Sequence, residues 1–101
     1  MMSKLQNPEV DHLFQAVLSL QTLEECYSFF EDACTIKEIQ EIAQRFEVAC
    51  QLEAGKNYLE VNRNTGASTA TICRVNKCLH YGKDGYKTVI QRLKPKGGTE
   101  Q

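Results

Sequence analysis

Six side chains between positions 68 and 77 could act as one chemical set. Ser68, Thr69, Ala70, Cys73, Arg74 and Lys77 are small, hydroxylated or basic. On a helix capped by Ser68 they turn away from the apolar pair Ile72 and Val75. A small-faced helix can sit deep in a duplex major groove, where its basic side chains meet phosphates or guanine edges. Thr69 and Ala70 suit apolar contact with a thymine methyl. Thr71 joins this set as a candidate contact, and Lys56 and Arg63 flank it as candidate backbone contacts. The chemistry offered is non-covalent recognition of a polyanion.

Other chemistries find little support. Five cysteines, at 26, 34, 50, 73 and 78, form no CxxC pair and no zinc spacing, and their number is odd. They read as reduced thiols acting as small apolar side chains. Cys73, Cys78 and His80 suggest a ligand trio, but cysteines five apart on a helix do not share a face. The sequence holds no phosphate-cradling glycine loop, nucleophile elbow or HExxH. Its acids lie at helix caps and solvent positions. The reading is therefore a non-enzyme without metal or cofactor, with His80 at the surface.

The candidate contacts need a scaffold that holds one helix outward. Asn57 to Lys77 reads as a helix-turn-helix bent at Thr65-Gly66. Val61, Ile72 and Val75 fall five before, six after and nine after the glycine, where such a unit packs against its own body. Asn57 with Glu60 makes a capping box for the first helix, and the second ends near Cys78 or Leu79. His80-Tyr81-Gly82 is a connector.

Upstream, Asn7 caps and Pro8 starts a first helix, with a buried stripe of Val10, Leu13, Phe14, Val17 and Leu18. Thr22 and Glu25 box a second, with Leu23, Cys26, Tyr27, Phe30, Ala33 and Cys34 on one face. Thr35 and Glu38 box a long third helix that runs to about Ala54 and stops at Gly55. Its stripe is Ile36, Ile39, Ile42, Ala43, Phe46, Ala49 and Cys50. Asp84 can cap a last helix with Tyr86, Val89, Ile90 and Leu93 on one face. Pro95 ends it, and 95–101 reads as a flexible tail. The class is all-α with six helices in one domain: N-terminal dimerisation helices at 8–54, a helix-turn-helix at 55–79 and a C-terminal helix at 83–94.

The formal net charge of −1 over 101 residues hides a division. Residues 1–54 hold three basic and ten acidic side chains, and residues 55–101 hold nine basic and three acidic. The basic half carries the bent unit, so the partner it suggests is double-stranded DNA. Leu20 and Phe29 widen the apolar surface of the first two helices beyond what one small domain covers, which points to a homodimer; a merely greasy helix is the plainer reading. With no bilayer-length apolar run and no signal peptide, the expected place is the cytoplasm, on the nucleoid. A helical protein-interaction module without DNA binding stays open beside the regulator reading.

From about Thr35 to Leu93 the sequence resembles the tryptophan repressor superfamily, and within it the YerC/YecD group of bacterial repressor-related proteins. The segment TGASTATICR at 65–74 is the most specific part, and TIKEIQEIAQRFEV at 35–48 looks like the family's long helix. The resemblance implies an intertwined homodimer with two reading heads and a role in transcription control, most simply repression. It also implies a corepressor pocket with Arg45 and Arg74 on either side of an indole and Thr35 nearby. Val75 stands where the tryptophan repressor has a glycine that leaves ligand room, and Cys78 replaces a serine that holds the ligand's amino group. Tryptophan is therefore not the expected effector. Another small molecule, or none, is left open.

Overall fold

The structure, a computed structural model, describes residues 3–94. The expected tail at 95–101 lies outside the described residues. Six helices follow in order: α1 (Pro8–Leu18), α2 (Leu23–Ala33), α3 (Ile36–Glu53), α4 (Tyr58–Thr65), α5 (Thr69–Tyr81) and α6 (Gly85–Leu93). The chain divides into two compact units, with the division inside α3 between Ile39 and Gln40.

Local chemistry accounts for most helix boundaries. The Asn7 side chain accepts from the Val10 N–H at 2.8 Å, and Pro8 occupies the first turn, where its missing donor costs nothing. Thr22 accepts from the Glu25 N–H at 3.0 Å, while the Glu25 carboxylate reaches one residue further back, to the Gln21 N–H at 2.9 Å. Thr35 with Glu38 forms the fully reciprocal box, at 2.8 and 3.1 Å. At the other end of α3, Gly55 adopts φ 91°. The Gly55 N–H donates to the Leu52 carbonyl at 3.0 Å and the Lys56 N–H to the Gln51 carbonyl at 3.1 Å, the paired bonds of a Schellman stop.

The first unit holds α1, α2 and the start of α3. Among its described residues none is buried. Much of the stripe expected to be covered stands in solvent: Leu18 is 83 % exposed, Leu23 74 % and Ile36 70 %, and Leu13, Phe14 and Tyr27 are exposed as well, while Val10, Val17, Cys26, Phe30 and Cys34 are half-buried. An apolar stripe becomes a core only when another surface lies on it, and the described residues of this unit do not by themselves supply one. Phe29 and Phe30 meet edge to face with ring centroids 5.3 Å apart.

The second unit holds the rest of α3 with α4, α5 and α6. Its core is Val48, Ala49, Val61, Ala67, Ile72, Val75 and Leu79, with Leu52, Tyr86 and Ile90 packed against it. The expected α3 stripe needs correction here. Ile42 and Ala43 are exposed, and Val48 joins Ala49 as the buried pair. In α6, Tyr86 and Ile90 reach the core, while Val89 and Leu93 stay exposed. Asp84 does not cap α6 through its side chain; it turns the backbone there at φ 63°.

Candidate nucleic-acid interface

α4 opens on the expected box. The Asn57 side chain accepts from the Glu60 N–H at 2.9 Å, and the Glu60 carboxylate accepts from the Asn57 N–H at 3.2 Å. α4 ends on Gly66 at φ 74°, whose N–H closes onto the Asn62 carbonyl at 2.8 Å. Ser68 then caps α5, accepting from the Thr71 N–H at 3.1 Å. Val61, Ile72 and Val75, expected to face inward, are buried to within 1 % of full enclosure. Their burial fixes the rotation of α5, so the opposite face of that helix is left outside.

That outer face carries Ser68, Thr69, Ala70, Cys73, Arg74 and Lys77, all exposed. Ala70, Cys73, Arg74, Lys77, Cys78, Tyr81 and Gly82 line one open concavity of about 520 Å³ along α5. Thr71 differs: it is half-buried, and its hydroxyl lies 3.1 Å from that of Ser68, within the cap. Lys56 is exposed in the α3–α4 connection, and Arg63 is exposed in the last turn of α4, where a cation suits the helix dipole. α5 runs two residues past its expected end, to Tyr81, because Gly82 rather than His80 stops it. The His80 ring lies over this last turn, with Nδ1 2.9 Å from the Asn76 carbonyl oxygen. A side chain at 82 would press its Cβ to about the Cys78 carbonyl oxygen, so glycine is required there.

Tyr58, at the start of α4, meets Cys73 and Asn76 of α5. Desolvation raises its phenol above the usual tyrosine range, the Cys73 thiol adds to the rise, and a hydrogen bond with Asn76 opposes it. The Cys50 thiol is likewise raised, by burial first and by Glu47 second.

Of the residues of the implied effector pocket, Arg45, Arg74, Val75 and Cys78 lie in the second unit and Thr35 in the first. Arg74 and Cys78 line the α5 concavity. Val75 faces the opposite way, into the core. Arg45 is half-buried on α3, and Thr35 belongs to the other unit, with its hydroxyl engaged by the Glu38 N–H. Among the described residues there is no group of three or more histidine, cysteine or acidic side chains arranged to hold a metal ion. Nor is any described helix long and apolar enough to cross a membrane.

Ala67 and Gln44 were not visible as site residues in the sequence. Ala67 is buried in the turn, and the Gln44 side-chain amide donates to the Thr65 carbonyl at 3.2 Å from α3. A lone alanine and a glutamine on a polar helix face give no periodic signal.

An all-α chain with a glycine-bent helix pair and an outward basic helix is a helix-turn-helix protein. The family model described as Trp repressor protein matches residues 8–94, and the chain belongs to that family. It is 55 % identical over 91 residues to YerC of Bacillus subtilis, a match covering 90 % of this chain and 88 % of that protein. A crystal structure of a TrpR-like protein from Eubacterium eligens superposes with a TM-score of 0.87 at 54 % identity, covering 97 % of this chain and 98 % of the other. A candidate Trp repressor from Staphylococcus aureus superposes with a TM-score of 0.86 at 44 % identity, over 89 % and 90 % of the two chains.

Proposed function

We propose that this chain is a sequence-specific DNA-binding transcription regulator that acts as a homodimer. One observation carries the reading: the core seizes Val61, Ile72 and Val75, and that rotation leaves Ser68, Thr69, Ala70, Arg74 and Lys77 outside together. Ser68, Thr69 and Ala70 enter the major groove, Arg74 and Lys77 bind guanine edges or phosphate, and Lys56 and Arg63 hold the backbone. The exposed apolar faces of α1 and α2 are the surface through which two chains join.

Tryptophan is not the effector in this reading. The Val75 side chain fills core space, and overpacking a filled site costs about 1–3 kcal/mol. Cys78 is also a weaker hydrogen-bond partner than a hydroxyl. Titration calorimetry of the purified protein with tryptophan should give no heat of tight binding. A micromolar isotherm would refute this part of the reading.

The exposed faces of α1 and α2 also suit a second reading, a protein-interaction module that keeps the fold without touching DNA. Binding measured at several salt concentrations to a duplex selected from a random library separates the two. DNA recognition weakens steeply as salt rises, through loss of counterion release. Failure to select any duplex, with salt-insensitive capture of a protein partner, would favour the module.

A further inference from the structure

The turn between α4 and α5 is held by side chains whose hydrogen bonds run to backbone. Ala67, the buried residue of the turn, has both of its backbone polar groups engaged by side chains of α4. Its N–H donates to Thr65 Oγ1 at 3.1 Å, and its carbonyl accepts from Asn62 Nδ2 at 2.7 Å. The Thr65 hydroxyl in turn donates to the Val61 carbonyl at 2.7 Å. The Thr65 carbonyl, left over at the end of α4, accepts from Gln44 Nε2 of α3 at 3.2 Å. Asn64 Nδ2 adds a second tie to α3, donating to Gln51 Oε1 at 3.1 Å.

These bonds act in the turn itself, where the side chains are a methyl at 67 and none at 66. Ala67 and Ile72 lie in the core, so packing fixes which face of α5 turns inward, and the bonds add a directional hold on the backbone that leads into its first turn. That first turn carries Ser68, Thr69 and Ala70. We infer that Gln44, Asn62 and Thr65 are positioning residues that set the angle at which α5 enters DNA. They do so from behind, two of them on α4 and one on α3, without standing among the candidate DNA contacts. The inference rests on the DNA-reading function proposed above.

The test uses Gln44→Met, which keeps length and loses the donor, and Asn62→Ala, each checked for wild-type helicity. The probes are a duplex selected from a random library by the wild-type protein and an unselected duplex. Each variant should bind the selected duplex about fivefold more weakly or worse, the size of one lost hydrogen bond. Affinity for the unselected duplex and the salt slope should hold, because no phosphate contact is removed. In DNA-free protein, amide exchange over 67–72 should rise by about tenfold as the turn opens locally.

Unchanged selectivity, whether or not exchange quickens, would overturn the positioning role. So would parallel loss on both duplexes with a shallower salt slope, which marks a direct phosphate contact. If the wild-type protein selects no duplex, the DNA-reading function fails and the positioning role fails with it. The exchange arm then still shows whether these bonds hold the turn, so the two failures are told apart.

Discussion

Gly66 sits at φ 74° with open space where a Cβ would go. Gly66→Ala therefore meets no clash and pays only the left-handed backbone cost, about 1–2 kcal/mol. Thermal or denaturant unfolding should show a loss of that size, and no loss would mean the bend tolerates any residue. In the proposed DNA-reading function, Arg74 is the residue on which recognition rests most. A basic side chain bidentate to guanine contributes about 1–3 kcal/mol of discrimination, so Arg74→Ala should weaken binding to a selected duplex by about tenfold or more at fixed salt. An unchanged filter-binding titration would remove α5 from the interface. At this scale the sequence was readable where a side chain is large and apolar at helical spacing, as at Val61, Ile72 and Val75. It was silent at Val48, which falls two residues after Phe46 and off the expected α3 stripe. It misled at Asp84, where an aspartate before a helix looks like a cap yet is used here for its tolerance of positive φ.

The elements separate into those whose apolar face is satisfied within the chain and those whose face is not. α4 and α5 bury their inner residues in one small core with the end of α3, and their limits followed from capping chemistry to within two residues. α1 and α2 were equally legible as helices, from Asn7, Thr22 and their stripes. Their burial was not legible, because periodicity reports which face is apolar and not what lies on it. Seven buried residues form a thin core for the described residues 3–94, and small chains in that position commonly complete it by association. Analytical ultracentrifugation should find the wild-type protein at twice its 11.5 kDa chain mass. Leu18→Glu, a charge placed on the most exposed leucine of α1, should shift it toward the single chain. A wild-type protein that sediments as a single chain at micromolar concentration would contradict the assignment of α1 and α2 to an interface.

At the scale of the whole molecule the charge division and the fold agree. The acidic half of the sequence contains α1, α2 and α3, and the basic half contains α4, α5 and α6. In the proposed function a duplex meets the basic half, while the acidic helices carry the surfaces proposed to join two chains. With Arg74 on guanine, Lys56, Arg63 and Lys77 of each of two proposed partners leave six basic side chains for phosphate. A protein making that many phosphate contacts loses about 10³–10⁵ in affinity between 50 and 200 mM salt. Paired heads of this type meet successive major grooves about 34 Å apart, roughly one turn of the duplex. Hydroxyl-radical footprinting on a selected duplex measures that arrangement directly. The account predicts two protected patches centred about 10–10.5 base pairs apart. A single patch, or protection spread evenly along the duplex, would contradict it.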